Sequence, residues 1–222
     1  MPIPKQQPDS FPKTAKERVY SVMREWIVDG TLKPEEKIYD KDIAEYFSVS
    51  RTPVREAFQM LAEQQLITIS PGKESRVSSI DPKSIKEAYE ILASLEAIAI
   101  KYAIANISPS ELSALKETTE ALKRAMSDGD AKSANAADHQ FHETILKLSG
   151  NTFLYRFCDA LETYVSRMEY QVFSGKGITE LLPQSIQEHE QMISAIEAGD
   201  KALAMKAMSE NWLHTISHMA LQ

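Results

Sequence analysis

The chain has 222 residues, 43% of them hydrophobic, with 25 Lys and Arg against 32 Asp and Glu and a formal charge of −7. That length and apolar content suffice for two modest domains, each with its own core. No apolar run approaches a membrane span and no basic-then-apolar leader pattern opens the chain, so a cytoplasmic protein without membrane contact is expected. Cys158, the single cysteine, rules out an internal disulfide and reads as a buried thiol in a reducing compartment. The charge is unevenly spread. Residues 1–80 hold 12 basic and 12 acidic side chains, which leaves 13 and 20 for residues 81–222, so the excess acid lies in the second part. A neutral first part can still present a basic face if its acids lie elsewhere, with modest non-specific affinity for polyanions.

Residues 1–12 contain four prolines and few apolar residues and read as a flexible arm. The first helix is expected over 14–29, with Val19, Met23, Trp26 and Ile27 as its apolar stripe and Gly30 ending it. TLKPEEKIY, with Pro34, reads as a polar connector. The stretch DKDIAEYFSVSRTPVREAFQMLAEQQLI, residues 40–67, is then predicted to form two short helices joined by a tight turn. In the first, Asp40 is the expected N-cap and Ile43, Ala44 and Phe47 share one face, where Ala44 is small enough to let another helix cross closely. Ser48-Val49 makes the turn, Val49 points inward, and Ser50 caps the second helix. Pro53 falls in the first turn, where a missing N–H costs little. Val54, Phe58 and Leu61 face inward. Arg51 and Arg55, four apart, project outward beside Thr52. Two guanidiniums and a hydroxyl at the start of a helix suit phosphates and guanine edges. After Leu66 the period changes: Ile67–Ile69 and Ser75–Val77 are β-like pieces around Pro71-Gly72-Lys73-Glu74, a hairpin wing behind a recognition helix.

SVSRTPVREAFQMLAEQQLI resembles the helix-turn-helix signature of the GntR superfamily of bacterial transcription regulators, and the following segment resembles the all-helical FCD domain of that superfamily. The resemblance implies that Gly72 and Lys73 form a wing tip entering the minor groove, that Lys41 meets phosphate or base, and that Ser50, Arg51, Thr52 and Arg55 contact double-stranded DNA. Many relatives have a glycine where Glu74 stands, and an acid there is unfavourable beside DNA.

Asp81-Pro82 marks a boundary, giving a DNA-binding domain over 13–80 and a second domain over 81–222. Only helical periodicity follows, with helices expected at 83–106, 109–127, 130–149, 151–174, 180–198 and 200–220, separated by Pro109, Asp128-Gly129-Asp130, Gly150-Asn151, Gly175-Lys176-Gly177 and Gly199-Asp200. The expected class is mainly α: an N-terminal winged helix-turn-helix and a C-terminal all-α bundle.

Asp138 and His142 are four apart beside the stripe of Phe141, Ile145 and Leu148, and His189 shares a face with Ile186, Ile193 and Ile196. A carboxylate and two imidazoles facing a bundle interior need partners, which either a divalent metal or ordinary hydrogen bonds supply. The resemblance favours a metal, since many FCD domains ligate one (Zn, Ni, Mn or Fe) through an Asp and a His four apart, a second His before an Ala-Ile…Gly-Asp run, and a third His. The third position here is Asn211, whose amide oxygen is a weaker ligand. His214, one turn on and about 60° away at 100° per residue, is the substitute. Relatives that bind small carboxylates often carry an arginine four residues before the glutamate that is here Glu96. That position is Leu92. Arg167, near Tyr164, Met168 and Tyr170, is the replacement counter-charge for an organic-acid effector, with a solvated or salt-bridged arginine as the alternative. Tyr89 completes the expected effector-contacting set. His139 and His218 read as surface or supporting groups, and the methionines as core filler.

Taken together these features imply a ligand-responsive, homodimeric repressor. The alternatives are a constitutive DNA binder whose helical domain only dimerises, and a helical metalloenzyme carrying a DNA-binding module. None of the five histidines has a glutamate three positions before it, and no P-loop, nucleophile elbow or H-E-x-x-H is present, so no enzyme is expected.

Overall fold

The computed structural model describes residues 14–70, 74–173 and 182–218, without the side chains of 169–173 and 218. The expected arm, the wing-tip residues Gly72 and Lys73, and the Gly175-Lys176-Gly177 break lie outside the described residues. The chain divides into two compact units, 1–81 and 82–222.

In the first unit, α1 (Ala15–Val28) opens with a capping box. Thr14 accepts from the Glu17 backbone N–H, and the Glu17 carboxylate reaches back to the Thr14 N–H. Its buried stripe is Val19, Val22, Met23, Trp26 and Ile27. Helices α2 (Asp40–Phe47) and α3 (Arg51–Glu63) supply Ile43, Phe47, Val54, Phe58 and Leu61 to the same core. Trp26 meets Tyr46 edge-on, with ring centroids 5.1 Å apart. The α2–α3 turn passes through Ser48 at φ 53, a left-handed backbone that lets its N–H reach the Ala44 and Glu45 carbonyls, while Val49 packs on the core.

Two expected caps turn out differently. Tyr39 occupies the N-cap of α2 without a side-chain bond, and Asp40 is the first helical residue. Its carboxylate is instead taken by two arginines of α3. Ser50 does sit at the N-cap of α3, but its hydroxyl makes no capping bond.

A strand that the polar connector did not advertise, β1 (Lys37–Ile38), joins β2 (Ile67–Ile69) and β3 (Ser75–Val77) in an antiparallel sheet of order β1-β3-β2. Lys37 and Thr68 both stand opposite Arg76. Two residues are too few to show a period of two. Glu35, at φ 65, turns the chain so that its N–H donates to the Val77 carbonyl at 3.0 Å.

Among the described residues the second unit has six helices: α4 (Pro82–Asn106), α5 (Pro109–Asp128), α6 (Ala131–Leu148), α7 (Thr152–Phe173), α8 (Leu182–Ala198) and α9 (Lys201–His218). Ser108 and Glu111 form a second capping box, with Pro109 just inside the helix. Gly129 ends α5 at φ 68, where a Cβ would be strained. Helix α4 packs against α6, α7 and α9, and α8 packs against α5 and α9. The interior of this bundle therefore receives side chains from α4, α6, α7, α8 and α9. Among the described residues no helix is long and apolar enough to cross a membrane.

Candidate functional sites

In the first unit the apolar side of α3 is spent on the core, which leaves its outer side to Arg51, Thr52 and Arg55, all exposed, with Ser50 and Lys41 exposed nearby in the chain. Arg51 and Arg55 are 54% and 62% exposed, yet neither is loose. Arg51 Nη2 donates to Asp40 Oδ1 at 2.5 Å, and Arg55 Nε donates to Oδ2 at 2.7 Å. Partial burial pushes the Asp40 carboxyl up, but the two guanidiniums prevail and hold it below the usual carboxylate range. The three residues line a groove of about 330 Å³ together with Gln59, Ser70 and Glu74.

Glu74, the acid expected to repel DNA from the wing, is already engaged. Lys37 Nζ lies 2.8 Å from Oε2, and Arg76 Nη2 donates to Oε1. The Lys37 ammonium, with Arg76, holds this carboxyl below its ordinary value. The acid thus sits among its own counter-ions rather than facing phosphates alone.

In the second unit α6 places Asp138 and His142 one turn apart, and α8 brings His189 to them. Ligand atoms of these three lie within 4.8 Å of one another. Phe141 fixes the His189 ring by stacking, with centroids 3.9 Å apart and planes 7° from parallel. His189 is 0% exposed, its Nε2 stands 3.4 Å from Asp138 Oδ1, and neither ring nitrogen has a hydrogen-bond partner. Burial presses the His189 pKa down to about 3, Asp138 offsetting part of this and His142 adding to it, so the ring is neutral and its lone pair available.

His142 is held differently. Its Nδ1 is 2.6 Å from Glu96 Oε2 on α4, and the same oxygen accepts from Trp212 Nε1 at 3.1 Å. Burial opposes charge on His142, but Glu96, with smaller help from Asp138 and Glu162, raises its pKa to about 10. With Nδ1 engaged by Glu96, Nε2 is the nitrogen left to face a ligand, and a metal there would displace the proton that the raised pKa places on it. A carboxylate behind a ligating histidine is the usual supporting arrangement of a metal site.

Asn211 is buried, and its Nδ2 donates to Glu188 Oε2 at 2.9 Å and to Ser185 Oγ at 3.3 Å. Ser185 in turn donates to Asp138 Oδ1 at 3.1 Å, so Asn211 reaches the cluster through one hydroxyl. His214 is not drawn in. Its Nδ1 meets Glu188 Oε1 and lies 2.7 Å from Gln184 Nε2, and the Asp–His cluster does not include it.

Leu92, at the position four residues before Glu96, is fully buried. Arg167 is the largest fully buried side chain among the described residues, 2% exposed, so the solvated alternative does not hold. Burial lowers its pKa, and the neighbouring Tyr164 opposes that shift. Tyr89 is buried on Trp212, with centroids 5.4 Å apart. Met168 is half-buried, and the side chains of Tyr170 and His218 lie outside the described residues.

Sequence reasoning overlooked Glu162, Glu188, Ser185 and Trp212. Glu162 is buried and 3.0 Å from His139, which is itself half-exposed. Burial raises the Glu162 carboxyl to about 7 despite that histidine. The one available signal was an acid or indole at an inward-facing helical position, such as Glu162 beside Val165 or Trp212 beside Met208.

A winged helix-turn-helix unit with paired arginines on its third helix, together with a helical bundle holding buried polar groups, is the architecture of a two-part transcription regulator. The particular family follows. Residues 15–77 match the model of the bacterial regulatory proteins of the gntR family, and residues 87–213, more than half of the chain, match the FCD domain. The chain belongs to the GntR family of transcription regulators and carries an FCD domain. It is 26% identical over 206 residues to the HTH-type transcriptional repressor RspR of Escherichia coli (strain K12), covering 93% of this chain and 89% of the relative. A Paenarthrobacter nicotinovorans protein named "Probable D-xylose utilization operon transcriptional repressor" is 30% identical over 197 residues, covering 87% and 85%. Among solved structures, E. coli McbR/YncC superposes with a TM-score of 0.83 at 23% identity, over 94% of this chain and 98% of that one, which establishes the shared fold.

Proposed function

We propose that this protein is a repressor that binds palindromic operator DNA as a homodimer and responds to a small effector through a metal held in its FCD domain. The DNA part of this reading is carried by the exposed Arg51–Arg55 pair on the outer face of α3. Ser50, Thr52 and Lys41 supply further donors to phosphate or base. Gly72 and Lys73 are proposed as the wing tip, by family resemblance. Repression is supported by the names of RspR and the P. nicotinovorans relative. A dimer is supported by large exposed apolar side chains on two helices packed together: Ile91, Ile98 and Tyr102 on α4, and Phe153 and Phe157 on α7.

The metal part rests on His189. A buried imidazole with both nitrogens unpartnered is costly, and a cation shared with Asp138 and His142 removes that cost. When bound, a Zn, Ni, Mn or Fe ion supplies a Lewis-acidic point for an oxygen-bearing effector, most simply an organic acid. The side chains do the rest. Glu96 orients His142, Ser185 steadies Asp138, and Asn211 supports Ser185 through its Nδ2, its amide oxygen being the proposed weaker ligand. Arg167, with Tyr164 and Tyr89, offers a counter-charge and walls in the same unit.

Two measurements test the reading. Arg51→Ala and Arg55→Ala should each cost about 1–3 kcal/mol of operator affinity in duplex titrations. Wild-type affinity in both variants would mean that α3 is not the reading helix. Elemental analysis of protein purified without chelator or metal-affinity resin should find a transition metal in wild type and lose it in His189→Ala. Metal-free wild type refutes the metal site while leaving the DNA reading intact.

A further inference from the structure

We infer that Asp40 is a specificity-determining residue of the DNA-reading face: its carboxylate holds Arg51 and Arg55 in a fixed pair and limits their attraction to phosphate in general. The inference rests on the proposed DNA reading of α3 and deepens it. Asp40 begins α2, on a short side chain anchored in a helix whose other face is core. Each of its two oxygens takes one arginine, Oδ1 from Arg51 Nη2 and Oδ2 from Arg55 Nε.

Three physical consequences follow. First, an arginine stem has several freely rotating bonds and loses that freedom on binding. Two stems already tied to one carboxylate lose less when they meet base edges. Second, Arg55 is held through Nε, which leaves both of its Nη groups to reach outward. A guanidinium bound by one edge still presents donors at another. Third, the Asp40–Arg51–Arg55 cluster carries two positive charges and one negative. Its pull on any phosphate backbone is weaker than that of two free arginines, whereas guanine O6 and N7 still meet oriented donors. Asp40 therefore lowers non-specific affinity more than operator affinity.

The test compares wild type, Asp40→Asn and Asp42→Asn. Asp42 is exposed in the same first turn of α2, so its replacement changes net charge and the charge at the helix start equally. Two probes are used: a short duplex selected from a random pool by wild-type protein, and a scrambled duplex of the same composition. Binding is measured over a range of salt. Asp40→Asn should bind the scrambled duplex several-fold more tightly. The slope of log K against log salt should steepen by about 0.9 per protomer. The ratio of operator to scrambled affinity should fall about ten-fold, on the order of the rotamer freedom returned to two arginines. Asp42→Asn should keep the wild-type ratio. A wild-type ratio in Asp40→Asn, or an equal loss in Asp42→Asn, overturns the inference while the DNA reading stands. A wild-type protein that selects no sequence overturns both.

Discussion

Glu96→Ala is the most demanding test of the buried centre. Glu96 is 0% exposed, and one of its oxygens serves both His142, at 2.6 Å, and the Trp212 indole, at 3.1 Å. Alanine leaves His142 Nδ1 and Trp212 Nε1 without that acceptor in a buried setting. Removing one partner of a buried ion pair costs about 3–5 kcal/mol, most of it the penalty on the group left behind. The second unit spans residues 82–222, and for a domain of that size 1 kcal/mol moves the midpoint by about 3–4 °C. Thermal unfolding followed by circular dichroism, with chelator present, should therefore show the melting of this unit falling by about 10 °C or more. Glu96→Gln keeps a carbonyl acceptor of the same length and should recover over half of that loss. Because Glu96 orients His142, metal affinity should also weaken, by about 10–100-fold in either variant. A stability loss below about 1 kcal/mol in Glu96→Ala, with metal affinity unchanged, would refute the assignment of Glu96 as the group that holds His142.

Three further outcomes are expected. Glu162 is raised to about 7 by burial, above its unfolded value, so the folded protein holds a proton there that the unfolded chain releases; stability falls as pH climbs from about 4.5 to about 7, and Glu162→Gln should flatten that fall, gaining stability relative to wild type at pH 8 but not at pH 4, as read from melts at both. Phe153→Asp with Phe157→Asp, at side chains 68% and 60% exposed, should leave the fold intact and yield a monomer by light scattering, and an unchanged dimer would move the interface elsewhere. Asn211→His should tighten metal binding by giving an imidazole in place of an amide oxygen, at some cost from the lost bonds to Glu188 and Ser185; titration showing weaker binding would mean that Asn211 acts only through that network.

Local signals account for most of the secondary structure. Thr14-x-x-Glu17 and Ser108-Pro109-x-Glu111 mark helix starts because a hydroxyl and a carboxylate three residues apart satisfy two otherwise orphaned N–H groups. Gly30 and Gly129 mark ends because a glycine adopts φ near +70 without strain. The spacing of Val54, Phe58 and Leu61 settles which side of α3 is buried, and therefore that Arg51 and Arg55 are outside. The separation of Asp138 and His142 by four residues puts them one helical turn apart whatever the rest of the chain does. These features depend on neighbours within a few residues, and a sequence displays such neighbours directly.

The partners of those residues are a different matter. Asp40 stands where an N-cap is expected, and nothing local says that its carboxylate closes on arginines 11 and 15 residues later. Strand β1 exists only because Lys37–Ile38 lies beside Ser75 and Arg76. Glu96 finds His142 across 46 residues and Trp212 across 116, and His189 ends against Phe141 with both nitrogens unpartnered. Helical period states which face of each helix turns inward but leaves open which helix it will meet there. Buried charge is tolerated only where that meeting supplies a partner, so the chemistry of the centre was decided by packing.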